Sequence, residues 1–230
     1  MKKKAVIFLD YNETFDDIRE GKGRILSSSL TRFCKSFDWR VDIVVITSAH
    51  HSNPNFSIRD DFKHTLTFFP GELRSKFKYL IEHNCKYLTP IDASSLGIDF
   101  KQPIQLPYDK GTKKDGVEVF FDTIDPTGEY TTCVFAGNCE NTDFVMMDAD
   151  VGSRQKYFLL ANRRVLKSEK YPVYRLSMQK QERTYNHGKD IMQAVGPQDS
   201  LVIKTGTKSY GVGRGLQALT SYLHEKELNK

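Results

Sequence analysis

The sequence has no apolar run approaching the roughly 18–20 residues that a bilayer-spanning helix needs, and its mean hydropathy is −0.51. A chain that crosses a membrane as a helix is excluded. Cysteine is scarce. The four present (Cys34, Cys85, Cys133 and Cys139) form no CxxC pair and no disulfide-framework spacing, so reduced thiols and a cytoplasmic setting are expected. No block of five or six like charges occurs. The basic residues are scattered, as at 2–4, 113–114 and 163–164 and then Lys204, Lys208 and Arg214. Repeats and low-complexity stretches are absent too. What remains is 230 residues with 39% hydrophobic content, 15 Phe and 11 Tyr, enough to bury a core and exclude a disordered chain. That length suits one domain, or one domain with a small insert. With 34 Lys and Arg against 29 Asp and Glu, the net charge of +5 favours anionic ligands in general.

The basic start followed by apolar 5–9 resembles a secretory leader, but the run stops at Asp10, short of the roughly 7–15 residues of such a segment. It reads instead as a first strand, 4–10, buried on both faces as in a parallel sheet. Apolar spacing predicts a helix over 27–37 (Leu30, Phe33, Phe37), then a second buried strand over 41–47. Strand, helix, strand implies a right-handed crossover. Irregular chain is expected over 50–70 and a helix over 71–83 (Leu73, Phe77, Leu80, Ile81). Extended connection follows over 87–107, with a helix over 109–124. Strands over 131–136 and 157–161, a helical stretch from Phe144, a short apolar run over 198–204 and a last helix over 213–223 complete an α/β chain.

In an open parallel sheet, ligands bind outside the carboxyl ends of the strands. Those ends carry Asp10 with Asn12 and Thr14, then Thr47 and Ser48, then Gly137, Asn138, Asn141 and Asp143, with Lys110 opening a helix between the last two groups. A carboxylate can attack phosphorus. A hydroxyl and an ammonium can hold phosphoryl oxygens, and a cluster of hard oxygens suits Mg2+.

These segments resemble the four motifs of the haloacid dehalogenase (HAD) superfamily, and within it the Cof-type and sucrose-phosphatase-like phosphatases. The first motif reads Asp10-Tyr11-Asn12-Glu13-Thr14, the second ends a strand at Thr47, and the third reads Asp109-Lys110-Gly111-Thr112. The fourth reads Gly137-Asn138-Cys139-Glu140-Asn141-Thr142-Asp143, with Met146 after it. Leu160-Ala161-Asn162 and Tyr210-Gly211-Val212-Gly213 resemble two later family segments. The resemblance implies a Rossmann-like core over 1–49 and 108–230, with a small cap-like insert over 50–107. It also implies a Mg2+-dependent phosphohydrolase. Asp10 would be the nucleophile, forming an aspartyl-phosphate, and Thr47 and Lys110 would bind the transferring group. Asp10, the Asn12 carbonyl, Asn138 and Asp143 would lie around Mg2+, and Thr14, Ser48, His50 and Asn141 would face the substrate. That substrate would be a phosphorylated small molecule, or a larger one because the cap is short.

Two positions depart from the family pattern. Asn12 stands where the family's general acid–base usually sits, a role worth roughly 10²–10⁴-fold. Asn138 replaces the first metal carboxylate, and Thr142 stands where the next acid is expected. These substitutions motivate the rival reading, a non-catalytic module of the same fold that binds a phosphorylated ligand or a protein partner. A nucleic-acid-binding reading is allowed by the positive charge and aromatics but is disfavoured. Residues 185–189 are a candidate substrate loop, His51 is a second loop histidine beside His50, and Met146 and Met147 are expected in the core. Gly211, Gly213 and Gly215 read as a tight turn before the last helix.

Overall fold

The computed structural model describes residues 3–16, 24–48, 57–82, 85–93, 97–107, 111–162, 168–176 and 187–229. Its frame is an α/β fold around a ten-stranded, mostly parallel sheet. Strand β1 (Ala5–Asp10) lies centrally between β2 (Val41–Ile46) and β7 (Thr132–Gly137), parallel to both. On the β7 side follow β8 (Gln155–Leu160), β10 (Ser200–Lys204) and β9 (Val173–Arg175), all parallel. On the β2 side lie β3 (Phe77–Glu82), parallel, and β4 (Tyr87–Asp92), antiparallel to it. The short strands β5 (Asp99–Phe100) and β6 (Ile104–Gln105) pair with β4. All six residues of β1 are buried, as expected for the central strand of a sheet covered on both faces.

Alternation along β1 divides the core in two. Ala5, Ile7 and Leu9 face α1 (Arg24–Ser36), α2 (Ile58–Leu66), α5 (His187–Val195) and α6 (Lys208–Leu228). Val6 and Phe8 face α4 (Lys113–Ile124) and the 3₁₀ turn Phe144–Asp148. On that second face Phe8 meets the rings of Phe120, Phe121 and Phe135 at 5.1, 5.9 and 5.6 Å. Helix α6 approaches α1 through Gly213, where a Cβ would lie 2.8 Å from Ile25 Cγ2 and 2.9 Å from the Leu26 nitrogen.

Several expectations are corrected. The described part of 50–107, read from the sequence as a small cap-like insert, adds β3 and β4 to the same sheet. Within it, the helix expected over 71–83 stops after one turn, α3 (Gly71–Arg74), and the chain continues as β3. The 3–4 spacing of Leu73, Phe77, Leu80 and Ile81 mimics a helix. The open edge of β2, however, offers backbone partners that a helix would leave unused. Helix α2 emerges where irregular chain was expected. Ser57 caps it by accepting from the Asp60 N–H, and Ile58, Phe62, Thr65 and Leu66 form its buried stripe. Strand β9 and helix α5 were also unforeseen, and α5 includes 187–189 of the expected substrate loop. The turn expected at Gly211, Gly213 and Gly215 is instead the start of α6, where small residues permit close packing.

Candidate functional site

Three charged side chains meet at the carboxyl ends of β1 and β7. Asp10 ends β1, Lys113 is the first residue of α4, and Asp143 lies in the loop after β7. Lys113 Nζ donates to Asp10 Oδ1 and to Asp143 Oδ1, each at 2.5 Å. All three are buried, at 3, 3 and 1% exposure. A charge-assisted bridge of this kind is needed here, since a buried ion without a partner costs several kcal/mol.

Each member is placed by its element. Alternation along β1 puts Asp10 on the α4 face, with Val6 and Phe8. Lys113 lies on the buried stripe of α4 with Val117, Phe120 and Phe121. A capping box fixes the start of that helix. Thr112 Oγ1 accepts from the Asp115 N–H, and Asp115 Oδ2 accepts from the Thr112 N–H at 2.6 Å. Asp143 folds back over Gly137, and Asp143 Oδ2 accepts from the backbone N–H groups of Asn138 and Cys139 at 2.9 and 2.8 Å. Glycine is required at 137, because a Cβ there would sit 2.5 Å from that same oxygen.

Burial pushes the Asp10 carboxyl up to about 7. The Lys113 ammonium opposes that rise and the Asp143 carboxylate reinforces it. Lys113 is held above its ordinary value by the two carboxylates, which outweigh its own burial.

The structure brings several expected residues to this edge. Asn12 and Thr14 lie in a single π-helical turn, Tyr11–Phe15, directly after Asp10. The Thr14 hydroxyl stands 3.5 Å from Asp10 Oδ2. Thr47 is buried just past β2, its backbone N–H donating to the Ile81 carbonyl, and Ser48 is half-buried beside it. Asn138 is half-buried at the end of β7, its carbonyl accepting from Asn162 Nδ2 at 2.8 Å. Asn141 is exposed on the same loop. Lys110, His50, His51 and 185–186 lie outside the described residues.

A cation that the sequence reading did not single out stands at this edge, Lys113. The signal lay in the sequence: a lysine at the i−4 and i−7 positions of Val117 and Phe120 falls on an apolar stripe, where a lone charge needs a reason. A second unforeseen support is Tyr11, whose hydroxyl donates to Asp61 of α2. Beneath it Phe15 stacks on Phe62 and Phe69, with ring centroids at 5.1 and 5.9 Å.

Asp143, expected beside Mg2+, is fully engaged by protein donors in this structure. Its Oδ1 accepts from Lys113 and, at 3.3 Å, from the Thr142 hydroxyl, while Oδ2 holds two backbone N–H groups. With its acceptor sites engaged, Asp143 anchors Lys113 and braces the loop. Among the described residues no cluster of three or more His, Cys, Asp or Glu could hold a metal ion. The oxygens left for Mg2+ would be the Asp10 carboxylate, the Asn12 carbonyl and the Asn138 amide. Such an ion commonly takes one or two carboxylates and fills its shell with water and phosphate oxygens. No protein-family model matches the chain, and no curated protein matches it.

Proposed function

We propose that the chain is a HAD-type phosphohydrolase that attacks phosphomonoesters with Asp10. The observation that carries this reading is the buried Asp10–Lys113–Asp143 bridge at the carboxyl edge of the central strands. An Asp carboxylate oxygen attacks phosphorus, the bond to the ester oxygen breaks, and the leaving group departs with the bonding electrons. Water then attacks the aspartyl-phosphate, releasing phosphate and restoring the carboxylate. Lys113 neutralises charge on the transferring group and orients Asp10, while Asp143 keeps Lys113 in place. Thr47, at the neighbouring strand end, would hold a phosphoryl oxygen. Mg2+, when bound by Asp10, the Asn12 carbonyl and Asn138, would offset the negative charge of the phosphate. Such catalysis is mostly positioning and electrostatics.

Asn12 cannot protonate a leaving group, so good leaving groups should be favoured. The deciding experiment is hydrolysis of an aryl phosphate with and without Mg2+, beside Asp10→Asn. Turnover that needs both Mg2+ and Asp10 supports the reading, and equal turnover by the variant rejects it. The second reading, a phosphoryl-binding module without turnover, is favoured by the shortage of acids around Asn12 and Asn138. It predicts Mg2+-independent binding of inorganic phosphate and no hydrolysis.

A further inference from the structure

Strand register extends the site sideways. Leu9 pairs with Ala136, which puts Asp10 beside Gly137; Gly137 pairs with Leu160, Leu160 with Lys204, and Lys204 with Arg175. These residues form one row across the carboxyl edge of the sheet. Alternation puts them on one face, because Val6, Phe8, Phe135, Phe158, Val202 and Val173 all pack on the α4 side. Three strand spacings separate Asp10 from Lys204, about 14 Å.

Lys204 is 3% exposed, and its Nζ has no hydrogen-bond partner among the described residues. Fully buried lysines are rare unless paired. Arg175 stands beside it on the edge strand and is exposed. The acid whose charge acts on it is Glu140, in the loop after β7, whose Oε1 is buried and also lacks a hydrogen-bond partner among the described residues. Burial and Arg175 hold the Lys204 ammonium below its ordinary value, and Glu140 opposes them. Two cations against one acid leave this cluster net positive.

We propose that Lys204 and Arg175 form a second anion subsite, so that the substrate is a phosphomonoester carrying a further phosphate or carboxylate at its far end. This rests on the phosphohydrolase reading for the first phosphate. A bound anion would give Lys204 Nζ the partner it lacks.

The test uses the full chain with Mg2+ and three probes sharing a six-carbon spacer: hexyl phosphate, hexane-1,6-diyl bisphosphate and 6-(phosphonooxy)hexanoate. Each is titrated calorimetrically and as an inhibitor of aryl phosphate hydrolysis. At least one doubly anionic probe should bind about tenfold or more tightly than hexyl phosphate, as expected of charge-assisted hydrogen bonds. Which one does so tells phosphate from carboxylate. Lys204→Met and Arg175→Met should each abolish most of that preference. No preference in the wild type, or a preference that survives both variants, overturns the subsite. If Lys204→Met fails to fold, the exposed Arg175→Met decides. If aryl phosphate hydrolysis is absent while the calorimetric preference is present and lost in the variants, the phosphohydrolase reading fails and the subsite stands.

Discussion

Lys113 carries one positive charge between two buried carboxylates, so both depend on it for charge balance. Lys113→Met would leave both acids unpaired in the core, a loss of about 3–5 kcal/mol. Denaturant midpoints at pH 7.5 and pH 5 check this, and the loss should shrink at pH 5, where Asp10 takes up a proton. Asp10 behaves oppositely. Its carboxyl is raised by burial to about 7 in the metal-free chain, so the folded state binds the proton more tightly than the unfolded one. The stability this contributes is present in full below the unfolded value near 4 and is lost as pH rises through 7. Asp10→Asn should therefore gain in Tm relative to wild type between pH 5 and pH 8 when measured in a chelator, while losing all turnover. Asn12→Asp restores a proton donor and should raise alkyl phosphate turnover by about 10²-fold or more, with a smaller gain on aryl phosphates.

Among the elements, β7 with the loop after it is the part whose backbone holds the bridge in place, through the Asn138 and Cys139 N–H groups on Asp143. Gly137→Ala would drive a methyl into Asp143 Oδ2, displacing that carboxylate from the Asn138 and Cys139 N–H groups and from Lys113. The expected outcome is a folded protein with turnover reduced by at least about tenfold, checked by circular dichroism beside steady-state kinetics. This element was legible in the sequence. An apolar run ending in glycine, followed by Asn and Asp, announces a strand and a polar loop at its carboxyl end. The run 71–82 was not legible in the same way, since the helical spacing from Leu73 to Ile81 is cancelled only by a partner strand distant in sequence. Lys113 was hidden by a similar ambiguity. Lys110, in its Lys-Gly-Thr setting, draws attention by pattern, whereas Lys113 shows itself only when the apolar stripe of α4 is followed back to its first turn. Asp10, Thr47 and Asp143 stand out in the sequence because each ends or follows a strand, which is where an open sheet exposes its polar groups.

At the scale of the whole molecule, the sheet explains why the site is rigid and where its freedom lies. Asp10 sits on a strand flanked on both sides by parallel partners and covered by helices on both faces. The segment on the β2 side, α2 with β3, packs into the same buried cluster as β1. Arg59 of α2 is tied there to the buried Glu82 of β3 at 2.5 Å. Mg2+ and phosphate together should raise Tm in proportion to the logarithm of their concentration, as any ligand of the folded state does.

The bridge through Lys113 also has a meaning in time. Its ion pair with Asp10 joins residues 103 positions apart, and its pair with Asp143 spans 30. Contacts of such separation close slowly, because the intervening chain must be ordered first. The bridge is therefore expected to be a late product of refolding. Helical circular dichroism should recover ahead of phosphate binding in a stopped-flow experiment, with the gap between the two signals marking the step at which β1, α4 and β7 come together.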